Sequence, residues 1–187
     1  MSTVLIVIDV QESFRRQSRW SEVSNPSIVA SVNQLVDSAR ATGHEVVWVL
    51  HAEPGSGTTF DPASGCVRLL DGLAAAPGET MVTKTSRNAF TTTNLGQHLT
   101  RVGATDLVIA GIQTEQCCET TARLAADLGY RVTFVTEATA TFPILRPDTG
   151  ERLETEEVIA RTEFALAGRF ARIATLDTAF AGATERR

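Results

Sequence analysis

The sequence predicts an α/β fold: a three-layer αβα sandwich on a doubly wound, mainly parallel, Rossmann-like sheet of about six strands. The first indication is a set of short apolar runs, rich in β-branched residues, that recur along the chain. Such runs are typical of strands buried on both faces, as in parallel sheets. The second indication is the helical periodicity of the segments between these runs.

Two groups of segments are expected to form the strands. The strongly apolar ones are Thr3–Ile8, Glu45–Leu50, Asp106–Ala110 and Arg131–Val135. The weaker ones are Thr80–Lys84 and Ala171–Thr175. Helical segments lie between them, which is the order that builds parallel βαβ units.

The helices are expected in the intervening segments. The first, Pro26–Ala41, starts with proline and has Gly43 just beyond its end, and both residues favour helix boundaries at these places. The others are Asn94–Val102, Glu115–Leu128 and Thr155–Ala167. In the last of these the apolar residues share one helical face.

The length and composition indicate one ordinary globular domain. The 187 residues are expected to form a single domain, residues 1–187, and apolar residues make up 43% of them. An irregular loop insertion is expected at about residues 52–66, because Ala52–Gly65 contains three glycines and two prolines. Irregular loops of this length often have a functional role.

The charge and the cysteines limit the partners and the location. A formal net charge of −5 disfavours nucleic acid and anionic membrane surfaces as partners. No apolar run reaches the ~18 residues needed to cross a bilayer, so no membrane partner is expected. The chain has three cysteines, an odd number, and its N-terminal apolar run lacks the basic residues of a signal peptide. Reduced thiols and a cytoplasmic location are therefore expected.

Reactive side chains follow several of the predicted strands. Asp9 follows the first strand, His51 follows the second, and Lys84 ends the third along the chain. Gly111 follows the next strand, and a pair of cysteines comes shortly after it. Ligands bind beyond the carboxyl ends of the strands in open parallel sheets. These side chains therefore form a candidate catalytic set.

The stretch GIQTEQCCETTA carries two adjacent cysteines at a predicted strand-to-helix junction. Thr114 is a suitable N-cap residue, which would place Cys117 in the first helical turn, where the helix dipole favours a thiolate. Neighbouring helical residues point about 100° apart, so both sulfurs cannot face one cavity. Cys118 shares a stripe with Ala122 and Ala125, which favours a packed, inert Cys118. Periodicity alone leaves the choice open.

Three motifs together resemble the isochorismatase-like cysteine hydrolase superfamily, which includes nicotinamidases and carbamoyl-amide hydrolases. The strongest is G-x-x-T-x-x-C-x-x-x-T-A, formed by Gly111, Thr114, Cys117, Thr121 and Ala122. The other two are D-x-Q (Asp9, Gln11) and K-x-x-x-x-A-F (Lys84, Ala89, Phe90). The motifs occur in the order typical of the superfamily, and the resemblance covers nearly the whole chain.

The resemblance implies that Cys117 is the nucleophile and forms a thioester with an amide substrate. Asp9 would accept the thiol proton and pass it to the leaving amine, while Lys84 would pair with both charged groups. The resemblance also implies an oxyanion hole formed by the backbone N–H groups of Gln113 and Cys117. It further implies a cis peptide bond between Ile112 and Gln113.

The pKa of the Cys117 thiol is expected to lie below its usual value. The helix dipole and Lys84 favour the thiolate, whereas Asp9 and burial oppose it. The three side chains should therefore titrate as a coupled set.

The segment after the second strand bears on metal binding. Nicotinamidases bind a metal through an Asp-x-His sequence there, whereas this chain reads H-A-E-P-G at residues 51–55. His51 and Glu53 are chemically possible ligands, but the segment is more similar to T-A-Q-P-G of isochorismatases, which need no such metal. We therefore expect no metal and no cofactor. Isochorismatases lack the nucleophilic cysteine, so Cys117 favours an amide or ester-like substrate.

The predicted function is hydrolysis of a C–N bond in a small amide or carbamoyl compound. The expected substrate-binding side chains are Gln11, Phe14, His51, Phe60 and Phe90. Two alternatives are a metal-dependent nicotinamidase-like amidase and a non-catalytic or redox-sensing thiol protein that uses the Cys117–Cys118 pair. The alanine-rich helices and the resemblance also predict a homo-oligomer, either a dimer or a tetramer.

Overall fold

A computed structural model of the chain describes residues 2–181, so residues 1 and 182–187 of the predicted domain lie outside the described part. The strands are β1 (Ser2–Ile8), β2 (Glu45–His51), β3 (Thr80–Lys84), β4 (Ala104–Ile112), β5 (Arg131–Ala140), β6 (Ile144–Leu145), β7 (Arg152–Leu153) and β8 (Arg172–Ala174). Six of them form one sheet in the order β3-β2-β1-β4-β5-β8. All neighbours in this sheet are parallel, whereas β6 and β7 form a separate antiparallel pair.

Helices cover both faces of the sheet. They are α1 (Glu12–Arg15), α2 (Ile28–Ala41), α3 (Leu95–Arg101), α4 (Glu119–Asp127) and α5 (Thr155–Leu166), with short 3-10 helices at Ser18–Glu22 and Pro62–Ser64 and a π-helical turn at Thr114–Cys118. The α2 helix packs on one face, and α3, α4 and α5 contribute to the core on the other. This arrangement confirms the predicted αβα sandwich with a parallel, doubly wound sheet.

The central strands are buried on both faces. Along β1, Leu5 and Val7 point into the core beneath α2, while Ile6 and Ile8 point into the opposite core. This alternation is the two-residue period of a strand. Since burying an aliphatic side chain contributes about 1.5–3 kcal/mol, continuous apolar runs stabilise such a strand on both sides. Among the described residues, no helix is both long and apolar enough to span a membrane.

The structure extends several predicted elements. β5 continues past the predicted end at Val135 to Ala140, and β4 continues to Ile112. The predicted helix Glu115–Leu128 is divided into the π turn and α4. The extra residues of β4 and β5 extend these strands at their carboxyl ends, on the edge of the sheet where the reactive side chains lie.

Candidate active site

Asp9 lies directly after β1 and is completely buried. Its φ of +54° is left-handed, a conformation that non-glycine residues adopt uncommonly and that aspartate tolerates better than most. Its backbone N–H donates to the carbonyl oxygen of Val49 at 2.8 Å, which ties this turn to β2. The backbone therefore turns sharply at the carboxylate instead of continuing the strand.

Lys84 ends β3 and is also completely buried. Its Nζ is 2.7 Å from Asp9 Oδ2, 3.4 Å from Cys117 Sγ and 3.3 Å from His51 Nδ1. An ammonium group has three N–H donors, and these three neighbours match them in number. The structure thus brings together the acid, the amine, the thiol and the imidazole that the sequence predicts at this edge of the sheet.

Cys117 lies in the π turn that follows β4. The carbonyl oxygen of Gln113 accepts a hydrogen bond from the backbone N–H of Cys118 at 3.1 Å, which spans five residues instead of the four of an α-helix. The peptide bond between Ile112 and Gln113 is cis, as the resemblance implies. Both Gln113 and Cys117 line the same cavity.

Two threonines of the cysteine motif hold the π turn in place. The Thr121 hydroxyl donates to the carbonyl oxygen of Cys117 at 2.6 Å and accepts from the Ala89 N–H at 3.1 Å. It thereby connects two of the three sequence motifs. The predicted N-cap at Thr114 is wrong, because its hydroxyl donates to Thr139 Oγ1 on β5 at 2.9 Å instead of capping a helix.

Gly111 allows β4 to pass close to β1. Its φ is +136°, and a Cβ atom at this position would lie 2.0 Å from the carbonyl oxygen of Ile8. No side chain fits at that distance. The motif glycine is therefore required by the close approach of the two strands that carry Asp9 and the cysteine turn.

Cys118 is not among the residues that line the cavity. It is completely buried and packs with Ala122 and Ala125 of α4 in the core on the opposite side of the sheet from α2. Its position agrees with the predicted helical stripe of small residues. Of the two adjacent sulfurs, only that of Cys117 lines the cavity.

The pKa of the Cys117 thiol is raised to about 12, chiefly by burial and then by the Asp9 carboxylate, with Lys84 opposing both. The expected lowering of this pKa is therefore wrong. Burial also raises the pKa of Asp9, although Lys84 and the Cys117 thiol oppose this rise. Neither Asp9 oxygen has a well-oriented hydrogen bond with a described residue. In the resting site the thiol is thus protonated and lies beside a carboxylate that can accept its proton.

Burial, and then the Lys84 charge, lower the pKa of the His51 imidazole, which favours its neutral form. Its Nδ1 lies 3.3 Å from the Lys84 ammonium, and its Nε2 lies 3.3 Å from Glu53 Oε1. A metal ion at His51 would have to approach this ammonium and also Arg87, whose Nη1 is 3.4 Å from Nε2. Within residues 2–181 no cluster of three His, Cys, Asp or Glu side chains could hold a metal ion. The side chains around His51 and Glu53 therefore do not fit a metal site.

A cavity of about 370 Å³ opens above Cys117. It is lined by Phe14, Gln17, Arg19, His51, Glu53, Thr58, Phe60, Arg87, Gln113, Gln116 and Cys117. Phe14 and Phe60 form an edge-to-face pair with ring centroids 4.9 Å apart. Three of the five predicted substrate-binding side chains, those of Phe14, His51 and Phe60, thus lie on the cavity wall.

The structure does not bring the other two, Gln11 and Phe90, to the cavity wall. The Gln11 amide donates to the His51 carbonyl oxygen at 2.9 Å and accepts from the His51 N–H at 2.7 Å, so it fixes the end of β2. Phe90 packs in the core with α3 and α4, and its ring stacks on Tyr130 at a centroid distance of 6.2 Å. Both residues of the motifs support the fold around the site.

Several cavity residues were not predicted from the sequence. They are Gln17, Arg19, Thr58, Arg87 and Gln116. Most lie in irregular segments, whose path the sequence pattern does not reveal. A positional signal existed for two of them, because Arg87 lies between Lys84 and Phe90 of one motif and Gln116 directly precedes Cys117 in another.

Comparison with known proteins shows which family this chain resembles. Residues 3–164 match the isochorismatase domain family. Nicotinamidase 3 of Arabidopsis thaliana is 32% identical over 155 residues, with 74% of this chain and 73% of the relative covered. Streptothricin hydrolase of Streptomyces noursei is 34% identical over 142 residues, with 75% of this chain and 55% of the relative covered.

The fold is similar to that of a solved structure from the same family. The structure of an isochorismatase from Pseudomonas putida superposes with a TM-score of 0.82 at 29% identity. The superposition covers 94% of this chain and 89% of that one. Since the domain match spans most of the sequence and relatives above 30% identity align over most of it, the chain belongs to the isochorismatase family of hydrolases.

Proposed function

We propose that this chain is a cysteine hydrolase that cleaves a C–N bond of a small amide or carbamoyl compound through a thioester at Cys117. The observation that carries the proposal is the buried Lys84 ammonium, 2.7 Å from the Asp9 carboxylate and 3.4 Å from the Cys117 sulfur, at the base of a cavity. A relative named as a nicotinamidase supports an amide substrate.

In the first step, Cys117 Sγ attacks the carbonyl carbon of the amide while its proton moves to Asp9. An S–C bond forms, and the carbonyl oxygen becomes an oxyanion. The backbone N–H groups of Gln113 and Cys117 are proposed to bind this oxyanion, as in other acyl-transfer enzymes. Because the pKa of the resting thiol is about 12, proton transfer to Asp9 accompanies the attack instead of preceding it.

In the second step, the oxyanion collapses and the C–N bond breaks. The proton on Asp9 moves to the leaving nitrogen, which departs as ammonia or an amine, and a thioester remains on Cys117. Asp9 then takes a proton from water, and the resulting hydroxide attacks the thioester carbon. The C–S bond breaks and the sulfur regains its proton, so that the net reaction adds one water to the amide.

Lys84 is proposed to stabilise the negative charge while this charge moves between the Asp9 carboxylate and the Cys117 sulfur. A buried carboxylate without a cation would be costly, and so would a buried thiolate. With Nζ close to both atoms, one ammonium stabilises whichever of them is charged. A single position of the Lys84 side chain is close enough to both atoms to stabilise either charge.

A panel of small amides and carbamoyl compounds, assayed for ammonia release, tests the proposal. A substrate that is turned over is then mixed with the enzyme, quenched in acid and analysed by mass spectrometry. We expect the acyl mass on the peptide that contains Cys117. Turnover without any acyl adduct on this peptide under single-turnover conditions would contradict the thioester, and no turnover of any compound would contradict the activity.

The two alternative functions have less support. A redox-sensing pair would need Cys118 to react, but Cys118 is completely buried. A metal-dependent amidase would need a site at His51 and Glu53, where Lys84 and Arg87 place two positive charges. Dialysis against a chelator is therefore expected to leave turnover unchanged.

We also propose a homo-oligomeric state and a cytoplasmic location. Exposed apolar side chains support the first, among them Phe164 on α5. The second is supported by three cysteines that are all free thiols, as in a reducing compartment.

A further inference from the structure

The charged side chains of the cavity wall are mainly positive. Arg19 and Arg87 line the cavity, whereas Glu53 is the one acid on its wall within residues 2–181. The whole chain has a formal net charge of −5, so this excess of positive charge is local. The Asp9–Lys84 pair at the base adds no net charge. A negatively charged ligand is therefore favoured in a cavity of an acidic protein.

Two contacts orient the exposed side chain of Arg19. Its Nε donates to Gln17 Oε1 at 2.6 Å, and its Cζ lies 4.5 Å from the centroid of the Phe142 ring. Phe142 is itself buried and stacks on Phe14 of the cavity wall at a centroid distance of 6.1 Å. An exposed arginine is usually only solvated, but stacking and an occupied Nε orient this guanidinium before any ligand binds.

The remaining donors of Arg19 are its two Nη atoms. Neither Nη atom of Arg19 donates to a residue within the described range 2–181, and Arg19 forms no ion pair there. The acid that acts on its charge is Glu115, whose Oε2 already accepts from Thr141 Oγ1 at 2.5 Å. The two Nη atoms present the fork that binds a carboxylate through two parallel hydrogen bonds.

Arg87 differs, because its charge is partly compensated. Its Nη1 lies 3.9 Å from Glu53 Oε1, and the same oxygen is 3.3 Å from His51 Nε2. Glu53 is thus shared between an imidazole and a guanidinium. Arg87 adds positive potential to the cavity, but its charge is shared with Glu53, whereas Arg19 forms no ion pair within residues 2–181 and is the guanidinium better suited to bind an anion.

We propose that the substrate is a small amide or carbamoyl compound that also carries a carboxylate, and that Arg19 binds this carboxylate while the scissile carbonyl lies at Cys117. This inference rests on the proposed function of the same site. The paired rings of Phe14 and Phe60 supply apolar wall for the carbon atoms of the substrate. Arg19 is then a specificity-determining residue that takes no part in the bond changes.

The test compares amides that differ in one group. Monoamides of straight-chain dicarboxylic acids with two to six carbons are each paired with the uncharged amide of the same length, and ammonia release gives kcat/KM. The variants are Arg19→Gln and the matched control Arg16→Gln. Arg16 is an exposed arginine outside the cavity wall, with Nε 3.9 Å from Glu12 Oε2.

We expect the enzyme to prefer the acid in at least one pair. Arg19→Gln should lower kcat/KM for that acid by about 10- to 100-fold, the effect of losing charge-assisted hydrogen bonds, and should leave the uncharged partner within about 2-fold. The loss should appear in KM more than in kcat, and higher ionic strength should reduce the preference. Arg16→Gln should match the unchanged enzyme. Equal kcat/KM within every pair, or equal losses for acid and uncharged amide in Arg19→Gln, would overturn the inference.

Calorimetric binding to a Cys117→Ala variant separates this inference from the proposed function. Binding of a monoamide acid that depends on Arg19, without turnover by the intact enzyme, would support the anion site and reject the hydrolase mechanism. Turnover of uncharged amides, together with no binding of any acid, would support the hydrolase mechanism and reject the anion site. If no acid binds and none is turned over, the inference fails.

Discussion

At the scale of single residues, the electrostatics of the site depend on Lys84. Its ammonium is completely buried and lies 2.7 Å from Asp9 Oδ2. Removing one partner of a buried ion pair leaves an uncompensated charge, which is far more costly than losing the pair as a whole. The nearby thiol stays neutral, since burial and Asp9 raise the pKa of Cys117 to about 12. In the resting site a neutral thiol thus lies beside the buried Asp9–Lys84 pair.

The pKa of Cys117 should respond in opposite directions to its two neighbours. Lys84→Met should raise it further, because the lysine charge lowers it, and Asp9→Asn should lower it, because the carboxylate raises it. Both variants should lose turnover, since one lacks the cation and the other lacks the proton acceptor. The measurement is the pH dependence of iodoacetamide alkylation, with Cys66 and Cys118 replaced by Ser and Ala. A thiol that titrates near ~8.5 in all three proteins would rule out the proposed electrostatics.

The adjacent cysteines should behave very differently. Cys117→Ala should abolish amide hydrolysis, because only this sulfur faces the cavity. Cys118→Ala should retain most of the activity and lose roughly 1 kcal/mol of unfolding free energy, because its sulfur only fills space in the core. Activity assays and urea denaturation of both variants measure this. Large losses of activity in both variants, or in neither, would refute the assignment of the nucleophile.

At the scale of elements, the site is formed where the neighbouring strands β3, β2, β1 and β4 end at one edge of the sheet. The parallel order of the sheet brings residues far apart in sequence to one edge, as the rule for open parallel sheets predicts. For that reason Asp9, Lys84 and the cysteine pair could be located from the sequence at strand ends, whereas the choice of Cys117 within the pair depended on the family resemblance. The strand pattern also predicted the bounds of β3, because Thr80–Lys84 is a strand in both the prediction and the structure.

Other local features could not be predicted from periodicity. The π turn at Thr114–Cys118 shifts the helical pattern by one residue, and apolar spacing does not record such a shift. β5 continues through Thr136–Ala140, a polar and alanine-rich stretch that lacks the pattern of a buried strand. The cavity residues Arg19 and Arg87 depend on the course of irregular segments, which tertiary contacts determine.

The junction between β1 and β4 should not tolerate a side chain. Gly111→Ala would place Cβ 2.0 Å from the Ile8 carbonyl oxygen at a φ of +136°, and both contact and conformation oppose it. We expect the Gly111→Ala variant to lose more than about 3 kcal/mol of unfolding free energy, measured by urea denaturation, or to fail to fold. Gly96→Ala in α3 is the matched control, because its Cβ would lie 4.0 Å from Phe90 Cδ1. That variant should be neutral or more stable by up to about 1 kcal/mol. Equal effects of the two substitutions would show that the close approach does not constrain the fold.

At the scale of the whole molecule, the family assignment and the α/β class agree with what the sequence predicts, and the surface raises a further question. Phe164 on α5 is 87% exposed, and the β6–β7 hairpin exposes Ile144, Leu145 and Leu153. Single exposed apolar residues are common, but a phenylalanine with most of its ring in water is costly for an isolated molecule. Contact with another copy of the chain would remove this surface from water.

We expect the protein to sediment as a dimer or tetramer at micromolar concentration, with Phe164 in the contact. Phe164→Ser should shift the equilibrium towards the monomer, because it removes apolar area from the contact, whereas Phe164→Leu keeps an apolar side chain and should still associate. Neither substitution should lower the unfolding free energy of the monomer, since the ring makes little contact within its own chain. Sedimentation velocity over a range of concentrations measures all three proteins. A purely monomeric parent protein would refute the oligomer, and equal association of the Ser and Leu variants would place the contact elsewhere on the surface.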